Sequence, residues 1–212
     1  MSPRGAPDLV LASLNPGKLV ELRVLLEATG LDLEVAGPAD LGLDLDVEET
    51  GDAFEANAVL KARAWAAAAG LPALADDSGL EVDALGGAPG IRSARWVPGS
   101  DEARVAALLD RLSGVPDAAR TARYRAVVAL ARPGTAEVAT SAGTVEGRIA
   151  RAPRGRGGFG YDPVFLVEDG GHQGDRTMAE LSAAEKDRIS HRARALLGLR
   201  AALAALERRA PG

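Results

Sequence analysis

The chain contains no cysteine, so disulfides and thiolate metal sites are both excluded. It has only two histidines, His172 and His191, too few for a histidine-rich metal centre. Any metal must therefore rest on carboxylate oxygens, which suit Mg²⁺ or Mn²⁺. Aromatics are just 3% of the residues, so the core has to be built from Ala, Val and Leu. Excess positive charge is missing as well. The formal net charge of -5 argues against general binding to nucleic acid or to an anionic membrane. A small anionic ligand is still allowed, because a local cationic pocket is enough to hold one. No apolar run approaches the ~18 residues of a membrane span. The opening "MSPRGAPD" is short and polar, without the apolar stretch of a secretory signal. These absences predict a cytoplasmic protein with no nucleic-acid or membrane partner.

What is present is a globular composition. The 212 residues are 47% hydrophobic and 26% charged, enough for one large domain or two small lobes. "LVLAS", Leu9 to Ser13, reads as a buried strand. "NPGK" breaks it. Leu19, Leu22 and Leu26 then recur at helical spacing from about Lys18, with Gly30 as the stop. A second strand is expected from Leu33 to Val35, and a longer helix from Ala53 to Ala69, stopped by Gly70. "LPALAD" reads as a short strand that ends at an Asp pair. "GGAPGIRSARW" has the glycine and proline content of a loop. Ser100 can cap a helix in which Val105, Leu108, Leu109 and Leu112 fit i, i+3, i+4, i+7. "ARYRAVVALAR" and "AEVATSAGTVEGRIA" read as long strands joined by "PGT" in a hairpin. "PRGRGGFGYDPVFLV" is a glycine-rich loop entering another strand. Ser182 and Glu185 have capping-box spacing, so a helix should begin there, break near Ser190 and resume toward Leu206. Early alternation of strands and helices followed by a hairpin predicts an α/β fold. Its central β-sheet should be mixed, with flanking helices.

Several stretches could carry chemistry. In "LADDSGLEV", Asp76 and Asp77 fit either a solvated turn or a divalent-metal site. In "ASLNPGKLVELRVLL", a strand, a tight turn and a helix N-terminus make a place for an anion. Lys18 adds a charge there, and Ser13 and Asn15 add hydrogen bonds. The same turn also fits an ordinary strand-to-helix connection, and it is not a Walker A loop. In "EETGDAFEANAVLKARAWA", Asn57 and Lys61 lie four apart on one helix face, where an amide and an ammonium suit a phosphate. A solvated face is the alternative. Glu48 and Glu49 just before it could supply a metal oxygen or be plain acidic loop residues. In "GRGGFGYDPVF", Phe159 or Tyr161 could stack on a base beside flexible glycines, and Asp162 could accept from ring N–H groups. The alternative there is a strand-entry turn with a core aromatic. In "EKDRISHRARAL", Lys186, His191 and Arg192 offer donors to phosphate or to a carbonyl oxygen, or else line an exposed helix. Together these are the parts needed to bind a nucleoside triphosphate.

The motifs "ASLNPGK", "EETGDAFEANAVLKARA", "LADDSGLEVDALGGAPGIRSARW", "GGFGYDPVF" and "ELSAAEKDRISHRARAL" occur in an order that resembles the inosine/xanthosine triphosphate pyrophosphatases. The resemblance spans about Leu9 to Leu206. It implies two lobes with an active-site cleft between them and a homodimer. It also implies Mg²⁺-dependent conversion of ITP, dITP and XTP, non-standard purine nucleotides, to the monophosphate and pyrophosphate. Residues 9–208 would form a single two-lobed domain, residues 1–8 a flexible extension and residues 209–212 a frayed tail. By the same resemblance Ser13, Leu14, Asn15, Pro16, Gly17 and Lys18 would hold the triphosphate. Asp77 would be general base and metal ligand, Glu49 a second metal carboxylate, and Asp76 a supporting one. Lys18 and Lys61 would act on the leaving group, and Asn57 and Ser78 would contact substrate. Phe159, Gly160, Tyr161, Asp162, Lys186, His191 and Arg192 would surround the base.

There are departures from the pattern. Leu14 stands where Gly or Ser is usual, Ala193 where Gly is usual, and Trp96 where Tyr is common. An alanine at 193 would be strained if the backbone there needed a positive φ. The rival readings are a pyrophosphatase for modified pyrimidine nucleotides, a catalytically silent nucleotide binder, and a structural dimer module.

Overall fold

The computed structural model describes residues 6–207. The expected frayed tail and residues 1–5 of the expected extension lie outside them. Strand β1 (Leu9–Leu11) is fully buried, as its unbroken apolar run requires. Helix α1 (Pro16–Ala28) starts two residues before Lys18. Asn15 caps it, its side chain accepting from the Lys18 N–H at 3.2 Å, and Pro16 occupies the first turn, where no N–H is needed. Strand β2 is only Val35–Ala36. Helix α2 (Phe54–Ala69) ends at Gly70, whose φ of 64° is the left-handed conformation a glycine stop supplies.

Strand β3 (Ala73–Val82) differs from the sequence expectation. It does not end at the Asp pair but continues through Asp76, Asp77, Ser78 and Gly79. Gly79 marks a close approach rather than a turn. A Cβ there would lie 2.3 Å from the Gly90 carbonyl oxygen and 2.5 Å from Ser93 Oγ.

Helix α3 (Asp101–Arg111) is capped by Ser100 and buries Val105 and Leu108. Strands β4 (Thr121–Ala131) and β5 (Val138–Ile149) are long and adjacent in the sheet, as the predicted hairpin requires. Strand β6 (Phe165–Val167) follows the glycine-rich loop. Helix α4 (Ala183–Ile189) begins with the Ser182–Glu185 capping box. The break falls at Ser190, then α5 (His191–Gly198) and α6 (Arg200–Ala204) follow. Ala193 lies inside α5, and among the described residues no non-glycine has a positive φ, so the feared strain is absent.

The six strands form one sheet in the order β2-β1-β3-β4-β5-β6. Strand β1 runs parallel to β2 and β3, whereas β5 and β6 are antiparallel, so the sheet is mixed. The chain divides into two compact units. The first holds the chain through Asp77, Val127–Ala142 and the segment from Arg194 on. The second holds Ser78–Ala126 and Gly143–Ala193. The first unit buries small and aliphatic side chains such as Leu22, Ala58, Ala62 and Leu74, and buries Phe54 and Trp65 with them. The second packs Leu80, Leu108, Val145 and Met178 around Tyr124, Tyr161 and Phe165.

Candidate active site

In the first unit the Asp pair is buried, Asp76 to 2% exposure and Asp77 to 4%, which rules out a solvated turn. Both carboxylates are compensated, as buried charges must be. Asp76 Oδ2 meets Lys18 Nζ at 3.0 Å. Asp77 Oδ1 meets Lys61 Nζ at 3.0 Å, and the same ammonium reaches Glu49 Oε1 at 2.8 Å. Asn57 donates from Nδ2 to Asp77 Oδ2 at 3.2 Å. The i, i+4 pair on α2 thus grips one carboxylate from both oxygens. Asn57 is fully buried, and its Oδ1 accepts from the Gly51 N–H at 2.8 Å. Asn57, expected to contact substrate, here uses its amide to hold Asp77 and the Gly51 backbone of the loop that carries Glu49.

Burial pushes the Asp77 carboxyl above the usual range. Lys61 pulls it back only in part, and Glu49 adds to the rise. For Lys61, burial disfavours the charge, but Asp76, Asp77 and Glu49 outweigh it and hold the ammonium above its ordinary value. At the start of α1, Ser13 Oγ accepts from the Asn15 N–H at 3.2 Å. Leu14 in this turn is 46% exposed. Pro16 and Gly17 form the first helical turn, with Lys18 directly behind.

Among the described residues no three His, Asp or Glu side chains gather as a metal-binding group. Glu49 and Asp77 nonetheless address one common cation, the Lys61 ammonium. Carboxylate oxygens are the ligands that a hard divalent cation takes.

In the second unit Asp162 is the organising group, at 5% exposure. Its Oδ1 accepts from the Tyr124 hydroxyl at 3.0 Å. Its Oδ2 accepts from Lys186 Nζ at 2.7 Å and from the Phe159 N–H at 3.1 Å. A Cβ at Gly158 would lie 1.9 Å from that Oδ2, and φ there is 74°, so only glycine fits. Asp162, expected to accept from ring N–H groups of a base, here holds the loop around Phe159. Gly160 donates its N–H to Asp101 Oδ2 at 2.7 Å. Tyr161 is 3% exposed and donates to the Ser93 carbonyl at 3.0 Å, so it is a core aromatic rather than a stacking platform. Phe159 is half-buried, with Lys186 Nζ 5.0 Å and the Arg192 guanidinium 5.4 Å from its ring centre. Arg192 donates to Ser78 Oγ at 2.7 Å. His191 and Arg192 are each 4% exposed and do not line an exposed helix.

The sequence reading missed Tyr124, Ser93, Asp101 and Gly79. For Tyr124 a signal existed, because tyrosine occurs only twice in the chain.

The sequence matches the model of the Ham1 family over residues 9–202. The chain belongs to the Ham1 family. Among its relatives is a Symbiobacterium thermophilum protein named dITP/XTP pyrophosphatase, 56% identical, with the match covering 89% of this chain and 90% of that protein. The fold resembles the Ham1 protein of Staphylococcus aureus, with a TM-score of 0.79 at 43% identity, covering 93% of this chain and 98% of that one. It also resembles a HAM1 protein of Coxiella burnetii, with a TM-score of 0.80 at 41% identity, covering 94% of this chain and 100% of that one. The mixed sheet described above is therefore a Ham1 α/β fold. No helix among its described residues is long and apolar enough to cross a membrane.

Proposed function

We propose that this Ham1 protein hydrolyses ITP, dITP and XTP to the monophosphate and pyrophosphate, cleansing the nucleotide pool. The observation that carries the reading is the buried Asp77, held from both oxygens by Lys61 and Asn57, with Glu49 on the same ammonium. A carboxylate with that much support is oriented for a chemical step. The names of relatives such as the Symbiobacterium thermophilum protein support the substrate class.

In this reading water attacks the α-phosphorus and pyrophosphate leaves. Asp77 takes the proton of the water, and burial helps because it raises the affinity of the carboxyl for that proton. The α1 N-terminus, with Ser13, Asn15 and Lys18, binds the triphosphate. Lys18 and Lys61 offset charge on the leaving pyrophosphate. Glu49, Asp77 and Asp76 would hold Mg²⁺, or Mn²⁺ in its place, which supplies charge neutralisation and polarises phosphoryl oxygens.

In the second unit Phe159 stacks on the base, with Lys186 beside its ring. His191 and Arg192 donate to the 6-oxygen of hypoxanthine or xanthine. Adenine presents an amino donor at that position and leaves those groups unmatched, a mismatch that can cost up to ~10⁴–10⁵-fold. A homodimer in the cytoplasm completes the proposal.

The test is product analysis with ITP and Mg²⁺, with ATP and GTP in parallel. IMP and pyrophosphate with little ATP or GTP turnover is the expected result. IDP and phosphate would place the attack at the γ-phosphorus and overturn the mechanism.

A further inference from the structure

No motif in the sequence points to Tyr124, yet this one side chain touches two parts of the second unit's site. Its ring lies parallel to the imidazole of His191, with centroids 4.9 Å apart and 8° between the planes. Its hydroxyl donates to Asp162, which anchors the loop bearing Phe159. Phe165 packs against it at 4.6 Å and 47°, so the ring is held in place. Burial, with Asp162 beside it, keeps the phenol well above its ordinary range and therefore neutral.

The ring and the hydroxyl separate in their roles. Asp162 has other donors, Lys186 Nζ at 2.7 Å and the Phe159 N–H at 3.1 Å, so it stays compensated without the hydroxyl. The stack on His191 needs a flat face, which phenylalanine provides and an aliphatic side chain does not.

We propose that Tyr124 is a positioning residue for base recognition: its ring face sets the plane of His191 and so the direction in which the first turn of α5 offers its donors. This rests on the reading of His191 and Arg192 as the groups that meet the purine 6-oxygen. A purely structural Tyr124 would lower stability or kcat without singling out the base.

The experiment combines kinetics on ITP and ATP with NMR of the histidine ring protons, simplified by there being only His172 and His191. In the wild type, the His191 protons should lie upfield of those of His172 through the Tyr124 ring current. Tyr124→Phe should keep that shift and hold KM for ITP within about twofold. Tyr124→Leu should lose the shift, raise KM for ITP about three- to tenfold, and reduce the ITP-over-ATP preference with kcat little changed. An unshifted His191 in the wild type would overturn the inference. So would a folded Tyr124→Leu with unaltered KM and preference, or one that loses only kcat. If Tyr124→Leu does not fold, the wild-type and Tyr124→Phe spectra and kinetics decide: loss of the shift or of the preference in Tyr124→Phe counts against the inference. A wild type that turns over no ITP would sink the functional reading instead. Calorimetric binding of IMP to the same proteins, with their His191 spectra, would then decide the Tyr124 inference.

Discussion

Lys18 and Lys61 of the first unit are bound to carboxylates. Lys186 and Arg192 of the second unit also touch polar partners, but both lie beside the ring of Phe159 as well. The first unit's set has no aromatic in it and is dense in charge. The second is built around Phe159, Tyr124 and His191. The contrast lies in the aromatics: both sets hold a buried carboxylate, Asp77 in the first and Asp162 in the second, but only the second has rings beside its charged groups. Charge density suits phosphoryl chemistry, where negative charge must be offset. Flat faces and directional donors suit a purine ring. The expected consequence is a kinetic division: changes in the first unit act on kcat, and changes in the second act on KM and base choice.

The sharpest way to break that division is Asp77→Asn. It should lower kcat for ITP by ~10²–10⁴-fold while leaving IMP affinity, measured calorimetrically, unchanged. Full turnover by this variant would remove Asp77 from the base role. Next in size is Arg192→Ala, which should cost ~10- to 100-fold in kcat/KM for ITP, from the lost charge-assisted hydrogen bond, and narrow the gap to ATP. If the ITP-over-ATP ratio survived, Arg192 would not read the base. Gly79→Ala tests the scaffold of the second unit rather than its chemistry. Its Cβ would meet the Gly90 carbonyl, a backbone atom that cannot swing away, so thermal unfolding should report a loss of ~1–3 kcal/mol. An unchanged Tm would mean that the strand relaxes there. The smallest effect concerns Glu185 of the capping box. Hydrogen bonds from Arg176 and Ser182 hold its carboxyl down to about 2 from an ordinary 4.5. A lowered carboxyl contributes stability above its unfolded value and loses it as pH falls through the folded one. Glu185→Gln should therefore flatten the fall in stability between about pH 4.5 and 2, read by acid titration of circular dichroism.

Much of this was legible before folding. The Ser100 and Ser182 caps and the Gly70 stop are local, because a cap and its helix lie within a few residues. The i, i+4 spacing of Asn57 and Lys61 correctly placed them on one face. It could not say that Asn57 would spend its amide on Asp77 and Gly51, since those partners come from outside the helix. Gly79 reads as a turn in the sequence because glycine is the common turn residue. Only the approach of Gly90 and Ser93 reveals why it stands in a strand. Tyr161 and Phe159 look alike in the sequence, yet the Ser93 carbonyl takes the tyrosine hydroxyl into the core and leaves phenylalanine half-buried.

The sequence by itself determined which chemistry is possible. Without cysteine and with few imidazoles, any cation must meet carboxylates, and the capping and periodic residues set where the helices run, because those forces act within one element. The tertiary structure decided which groups are used. Burial of Asp76 and Asp77, the shared ammonium of Lys61 and the Tyr124–His191 stack all join residues far apart in the chain. Their energies come from desolvation and contact, which exist only once the sheet has brought those residues together.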